Sequence, residues 1–180
     1  MDHRIVIPSR RTMRTRIEGL REEIVGLLPR LRRFARTLAR NPQDADDLVQ
    51  IAVERALARS GQLRADSEPA GWLFGILRHA WIDEVRARGR RERVLAPQEL
   101  GENVGDGSGD TYADILAVQD AMARLPEEQR TAVALVLIDG LSYKEAAEAM
   151  NVPIGTLTSR LARGREALQS LLAESTGAPR

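Results

Sequence analysis

The sequence predicts an all-α protein: two small helical units joined by a flexible, acidic, glycine-rich linker. Three observations predict it. Apolar residues recur at spacings of three and four along most of the 180 residues. Aromatic residues make up only 3% of the chain, so the core must be built from Leu, Ala, Val and Ile, which at helical period suit bundles better than sandwiches. The stretch Pro97 to Asp110 breaks the pattern, with Gly101, Gly105, Gly107 and Gly109 set among acids and polar residues. Such a segment buries too little apolar surface to offset its ordering entropy.

In the first unit, Ile17, Leu20, Ile24, Leu27, Leu28, Leu31, Phe34, Ala35 and Leu38 mark helix over residues 17–28 and 30–40, with Pro29 expected to kink it or start a second helix. Asn41-Pro42 ends that run. A second helix is expected from about Asp44 to Ala58, with Asp44, Asp46 and Asp47 in its first turn, where the helix dipole favours acids, and Gly61 as its stop. Pro69 opens a third helix that continues to about Arg93. In the second unit a helix covers about Ala113–Arg124, and Leu125-Pro126-Glu127-Glu128 starts the next. The apolar run Val133 to Ile138 is ambiguous between strand and helix; the preceding start signals and Gly140 decide for helix.

Composition excludes several classes of function. With 43% hydrophobic and 29% charged residues the balance is that of a globular protein. The absence of cysteine removes disulfides, thiolate metal sites and thiol redox sensing, and fits a reducing, cytoplasmic setting. Two histidines, His3 and His79, are too few for a histidine-rich zinc site. No run approaches the roughly 20 apolar residues of a membrane span, and the basic N-terminus lacks the apolar stretch of a secretory signal. No phosphate-binding loop, metal motif or nucleophile paired with a base points to an enzyme, and no cofactor is expected. The net charge is only +1, but it is segregated. Residues 1–40 hold eleven Arg against four acids, whereas residues 96–130 hold two Arg against eight acids. A chain so divided can offer one basic surface to phosphate.

The strongest local signal spans residues 141–168. Ser142 with Glu145 three residues on forms a capping box, and Leu141 can act as its staple. A short helix then runs to Met150, Asn151-Val152-Pro153 makes a turn, and Asn151 tolerates the left-handed conformation there. In the next helix Ile154, Leu157, Leu161 and Leu168 share one face with Gly164, while Thr156, Ser159 and Arg163, with Arg160 on the flank, occupy the other. Short hydroxyls near a helix N-terminus followed by arginines suit phosphate and guanine contacts in a major groove. The alternative is a helical hairpin with a solvated polar face.

Residues 125–168, LPEEQRTAVALVLIDGLSYKEAAEAMNVPIGTLTSRLARGREAL, resemble the C-terminal DNA-binding domain (region 4) of extracytoplasmic-function sigma factors. Asp44–Leu57, DADDLVQIAVERAL, resembles that family's helix for docking on the polymerase clamp, and Trp72–Arg86, WLFGILRHAWIDEVR, its following helix, which engages the minus-ten element. Together the matches cover roughly residues 25–172 in the family's order. The resemblance implies a basic tail over 1–16, expected to be disordered, a region 2 domain over 17–95, a linker over 96–112 and a region 4 domain over 113–174. It also implies contacts: Asp44, Asp47, Leu48, Gln50, Ile51 and Glu54 with core polymerase, Arg78, His79, Trp81, Arg86 and Arg88 with the minus-ten element, and Thr156, Thr158, Ser159, Arg160 and Arg163 with the minus-thirty-five element. The implied partners are core RNA polymerase, promoter DNA and an anti-sigma factor, with neither membrane insertion nor a small-molecule substrate. The chain departs from the family's common pattern at Ile51, His79 and Thr158, where an acid, Asn and a basic residue are frequent. Trp81 suits either stacking on an unpaired base or burial. Two rival readings are a DNA-binding regulator that recruits no polymerase and a mimic that sequesters an anti-sigma factor.

Overall fold

In the computed structural model, which describes residues 10–39, 41–63, 68–92 and 110–176, the first amphipathic segment is one helix, α1 (Arg10–Leu38). It begins inside the basic segment expected to be disordered and runs through Pro29 without a break. Pro29 is exposed, so the solvent side of the helix absorbs the missing N–H. Leu20, Ile24, Leu31, Phe34, Ala35 and Leu38 are buried along its inner face. Ile17 lies outside the residues whose side chains are described, residues 96–109 of the expected linker 96–112 lie outside the described residues, and residues 110–112 are already helical.

Helix α2 (Pro42–Ala58) starts before the expected Asp44 because the Asn41-Pro42 pair is itself a start signal. Asn41 caps the helix by accepting from the Gln43 N–H at 2.8 Å, and Pro42 occupies the first turn, where no N–H is needed. Ala45, Leu48, Val49, Ala52 and Ala56 turn inward. A short 3-10 turn (Ser60–Gln62) follows, and α3 (Pro69–Glu92) buries Leu73, Phe74, Ile76 and Leu77 against α1 and α2. Phe34 and Phe74 meet as a tilted ring pair with centroids 5.3 Å apart, and the Arg30 guanidinium lies 5.7 Å from the Phe74 centroid.

The second unit consists of α4 (Asp110–Arg124), α5 (Glu127–Val133), α6 (Tyr143–Met150) and α7 (Ile154–Thr176). The apolar run after Val133 is helical, but as a π-helical turn over Ala134–Ile138. The Asp139 N–H reaches back to the Ala134 carbonyl at 2.9 Å and the Leu141 N–H to Leu135 at 2.9 Å. Gly140, at φ +65°, supplies the left-handed residue that this closure requires. The turn leaves Leu137 and Ile138 exposed, while Val133, Ala134 and Leu135 belong to the core and Val136 packs against it.

The two units do not stand apart. Their buried residues form one continuous apolar cluster reaching from Leu20 on α1 to Leu161 on α7. The closest approach is α3 on α6. A Cβ built on Gly71 would lie 3.0 Å from the Glu145 carbonyl oxygen, and one on Gly75 would lie 3.3 Å from Ala149 Cα. These glycines, one turn apart, present bare backbone that lets α6 lie directly on α3. A second join sits at Asp139, whose main-chain carbonyl accepts from Arg30 of α1 and whose carboxylate lies 3.5 Å from Arg33.

Candidate nucleic-acid interface

The helix-turn-helix is built as its sequence implies. Ser142 accepts from the Glu145 N–H at 3.2 Å while the Glu145 carboxylate accepts from the Ser142 N–H at 2.7 Å, completing the capping box. Asn151 ends α6 in the left-handed region, at φ 52° and ψ 50°. The Pro153 carbonyl then receives the N–H groups of Thr156 and Leu157, at 2.9 and 3.1 Å, and starts α7. Leu157 and Leu161 are buried, Leu168 packs on the core, and Gly164 lies against Val133 and Gln129 of α5. Ile154 departs from expectation. It is 51% exposed, because the first residue of α7 projects past the end of the seam.

The other side of α7 faces outward. Thr158 and Ser159 are exposed, each with its hydroxyl donating back to the helix, Thr158 to the Ile154 carbonyl and Ser159 to the Thr156 carbonyl, both at 2.9 Å. Arg163 is exposed and Thr156 half-buried. Arg160 is drawn aside: its Nη1 lies 2.7 Å from Glu128 Oε2 in an ion pair whose alignment falls short of a hydrogen bond.

Residues expected at the minus-ten element are distributed less evenly. His79 is exposed, with Nδ1 2.7 Å from the Gly75 carbonyl, and Arg86 is exposed. Trp81 packs half-buried against the core with its indole N–H inside and unpartnered, so in this arrangement it is a packing residue. Arg78 corrects the expected surface track. Its side chain is only 9% exposed, and Nη2 donates to Glu128 Oε1 at 2.9 Å. The cause is tertiary: the bare backbone at Gly71 and Gly75 admits α6, and the turn that follows is covered along with them. Arg88 reaches back to Asp44 Oδ2 at 2.9 Å, so one residue expected at DNA is paired with one expected at the polymerase.

On α2, Asp47, Gln50, Ile51 and Glu54 form an exposed strip in which Gln43 donates to Asp47 at 3.3 Å and Gln50 to Glu54 at 3.0 Å. Leu48 does not belong to it. At 4% exposure it is a core residue, on the opposite side of the helix from Gln50. Sequence reasoning missed Glu128, Asp139, Arg30 and Arg33 as joining residues. Glu128 reads locally as a first-turn acid, and nothing near it announces a partner 50 residues earlier on α3.

The ionisation of Asp139 is clearly displaced. Burial raises its carboxyl from 3.8 to about 6, against the opposing pull of Arg33 and then Arg30. Both carboxyl oxygens lack a hydrogen-bond partner. Among the described residues no group of three or more His, Cys, Asp or Glu is placed to hold a metal, and no helix is long and apolar enough to cross a membrane.

Comparison with known proteins gives matches in both units. Residues 115–168 match the family described as Sigma-70, region 4, and residues 24–78 match the Sigma2 domain of PhyR. The chain is 36% identical over 156 residues to the ECF RNA polymerase sigma factor EcfG of Rhodopseudomonas palustris, covering 86% of each protein. It is 38% identical over 142 residues to the ECF RNA polymerase sigma factor SigM of Mycobacterium tuberculosis, covering 79% of this chain and 71% of that one. Among solved structures, the sigma factor RpoE of Bartonella quintana, in complex with the anti-sigma factor NepR, superposes with a TM-score of 0.73. It is 32% identical, with 87% of this chain and 98% of that one covered.

Proposed function

Because the chain belongs to the ECF sigma factors of bacterial RNA polymerase, we propose that it binds core polymerase, directs it to promoters and catalyses nothing itself. The observation that carries this reading is the capped helix-turn-helix. Helix α7 keeps Leu157, Leu161 and Gly164 inside, and offers Thr158, Ser159 and Arg163 to solvent. Arginines beside short hydroxyls at such a helix read base edges and hold phosphates in a major groove. In this proposal Thr156, Thr158, Ser159, Arg160 and Arg163 meet the minus-thirty-five element. Arg78, His79, Arg86 and Arg88 act at the minus-ten element. Asp44, Asp47, Gln50, Ile51 and Glu54 dock on the polymerase, and Leu48 supports that strip from inside. The protein works in the cytoplasm, and an anti-sigma partner restrains it, a reading supported by the likeness to a sigma factor solved with its anti-sigma factor.

The test is multi-round transcription with core bacterial polymerase on fragments of the source genome. New start sites are expected with the protein present, and Arg163→Ala is expected to weaken them. Asp47→Ala/Gln50→Ala is expected to lower capture of core polymerase without changing binding to DNA alone. DNA binding with neither core capture nor new start sites would leave a plain DNA-binding regulator and overturn the proposal.

A further inference from the structure

Glu128 is shared by two arginines that the proposed function assigns to different promoter elements. One carboxylate oxygen takes the hydrogen bond of Arg78 at 2.9 Å, and the other lies 2.7 Å from Arg160. Those elements, as their positions state, lie about 25 base pairs apart, or roughly 85 Å at about 3.4 Å per pair. Two guanidiniums seated on a single carboxylate cannot reach across that span, so the packed arrangement and the promoter-bound arrangement exclude each other. We infer that Glu128 acts as an internal stand-in for DNA phosphate, clasping Arg78 and Arg160 and holding the free protein in a closed, self-restrained state that opens before both units engage a promoter.

Three further features support the clasp. Its position is prepared by Gly71 and Gly75, which let α6 lie close enough on α3 to carry the second unit over Arg78. Its partner is desolvated: with a side chain only 9% exposed, Arg78 has little water to replace the carboxylate, so removing Glu128 leaves a buried charge unpaired and favours its release to solvent. The chemistry also matches, since a carboxylate presents an arginine fork with the same acceptor geometry as a phosphate. The Arg160–Glu128 pair lies within the second unit, between α7 and α5, and draws Arg160 off the outer face of α7, whereas Arg163, one turn on, remains exposed. The closed form therefore withholds Arg78 from DNA while leaving the exposed face of α7 available for a first encounter.

The inference rests on the proposed function, and its test separates the two. Gly71→Val places a branched side chain where even a Cβ would lie 3.0 Å from the Glu145 carbonyl oxygen, and is expected to prise α6 off α3. Relative to the wild type this variant is expected to show a larger radius of gyration in solution scattering and tighter binding to duplex DNA. Separately, Glu128→Gln is expected to bind a 30-bp mixed-sequence duplex about fivefold to tenfold more tightly than the wild type at low salt, and to show a larger radius of gyration in solution scattering. An unchanged radius of gyration in Gly71→Val, or unchanged affinity in Glu128→Gln, would each overturn the clasp while leaving the sigma assignment standing. If the wild type itself neither binds the duplex nor initiates with core polymerase, the proposed function falls and the clasp falls with it.

Discussion

Replacing Gly164 by alanine adds one methyl group to the face of α7 that rests on α5. The built Cβ lies 2.8 Å from Val133 Cγ2, 3.1 Å from the Gln129 carbonyl oxygen and 3.3 Å from Gln129 Cβ. Favourable carbon–carbon contact needs about 3.5–4.0 Å. Val133 is only 1% exposed and cannot swing into solvent, and the Gln129 carbonyl is helix backbone, so α7 must move away from α5. Overpacking of this kind costs about 1–3 kcal/mol, against roughly 0.8–1 kcal/mol gained by replacing glycine with alanine in a helix interior. The expected net effect of Gly164→Ala is a loss of about 1 kcal/mol. Gly26, in the middle of α1, has nothing within 4 Å of its built Cβ, so Gly26→Ala keeps only the gain and should stabilise by about 0.5–1 kcal/mol. Urea titration of the full chain, followed by far-ultraviolet circular dichroism, should move the two midpoints in opposite directions at constant slope. Val133→Ala combined with Gly164→Ala should be less destabilising than the two single effects added, because the bad contact disappears. A Gly164→Ala midpoint that rises like that of Gly26→Ala would refute the reasoning: helix propensity, and not close approach, would then govern the position.

Asp139 gives stability a pH dependence whose sign follows from its environment. Its carboxyl is raised from 3.8 to about 6 in the folded chain, so between those values the folded state holds a proton that the unfolded state has released. This group's contribution therefore falls as pH rises through that window and levels off above it. Asp139→Asn should flatten the profile and raise the unfolding midpoint near neutral pH. A lower midpoint there would show that attraction to Arg33 outweighs burial. Ser142→Ala removes the acceptor of the Glu145 N–H and should cost about 1 kcal/mol, with weaker duplex binding, while Ser142→Asp should retain most of the stability. If thermal denaturation finds Ser142→Ala as stable as the wild type, the capping box contributes nothing to the fold.

What the sequence determined by itself was local. Periods of three and four named the helices, Ser142 with Glu145 named a capped start, Asn151-Val152-Pro153 named the turn, and Pro69 named the first turn of α3. Each is a contact between residues at most a few positions apart, and such contacts leave their mark in the order of residues. The inward face of α7 was legible for the same reason, except at Ile154, where the helix ends and periodicity ceases to constrain the side chain. The continuity of α1 through Pro29 and the π-helical turn after Val133 were decided by packing, since proline on a solvent face and one extra residue in a turn change no hydrophobic pattern. The arrangement of the two units was decided only by tertiary structure. Gly71 and Gly75 mark a close approach solely once α6 lies on them, Arg78 looks like any surface arginine until that approach buries it, and Glu128 finds its partners 50 residues back and 32 residues on. Leu48 shows the reverse limit: a residue can match a family's docking motif and still owe its place to the core.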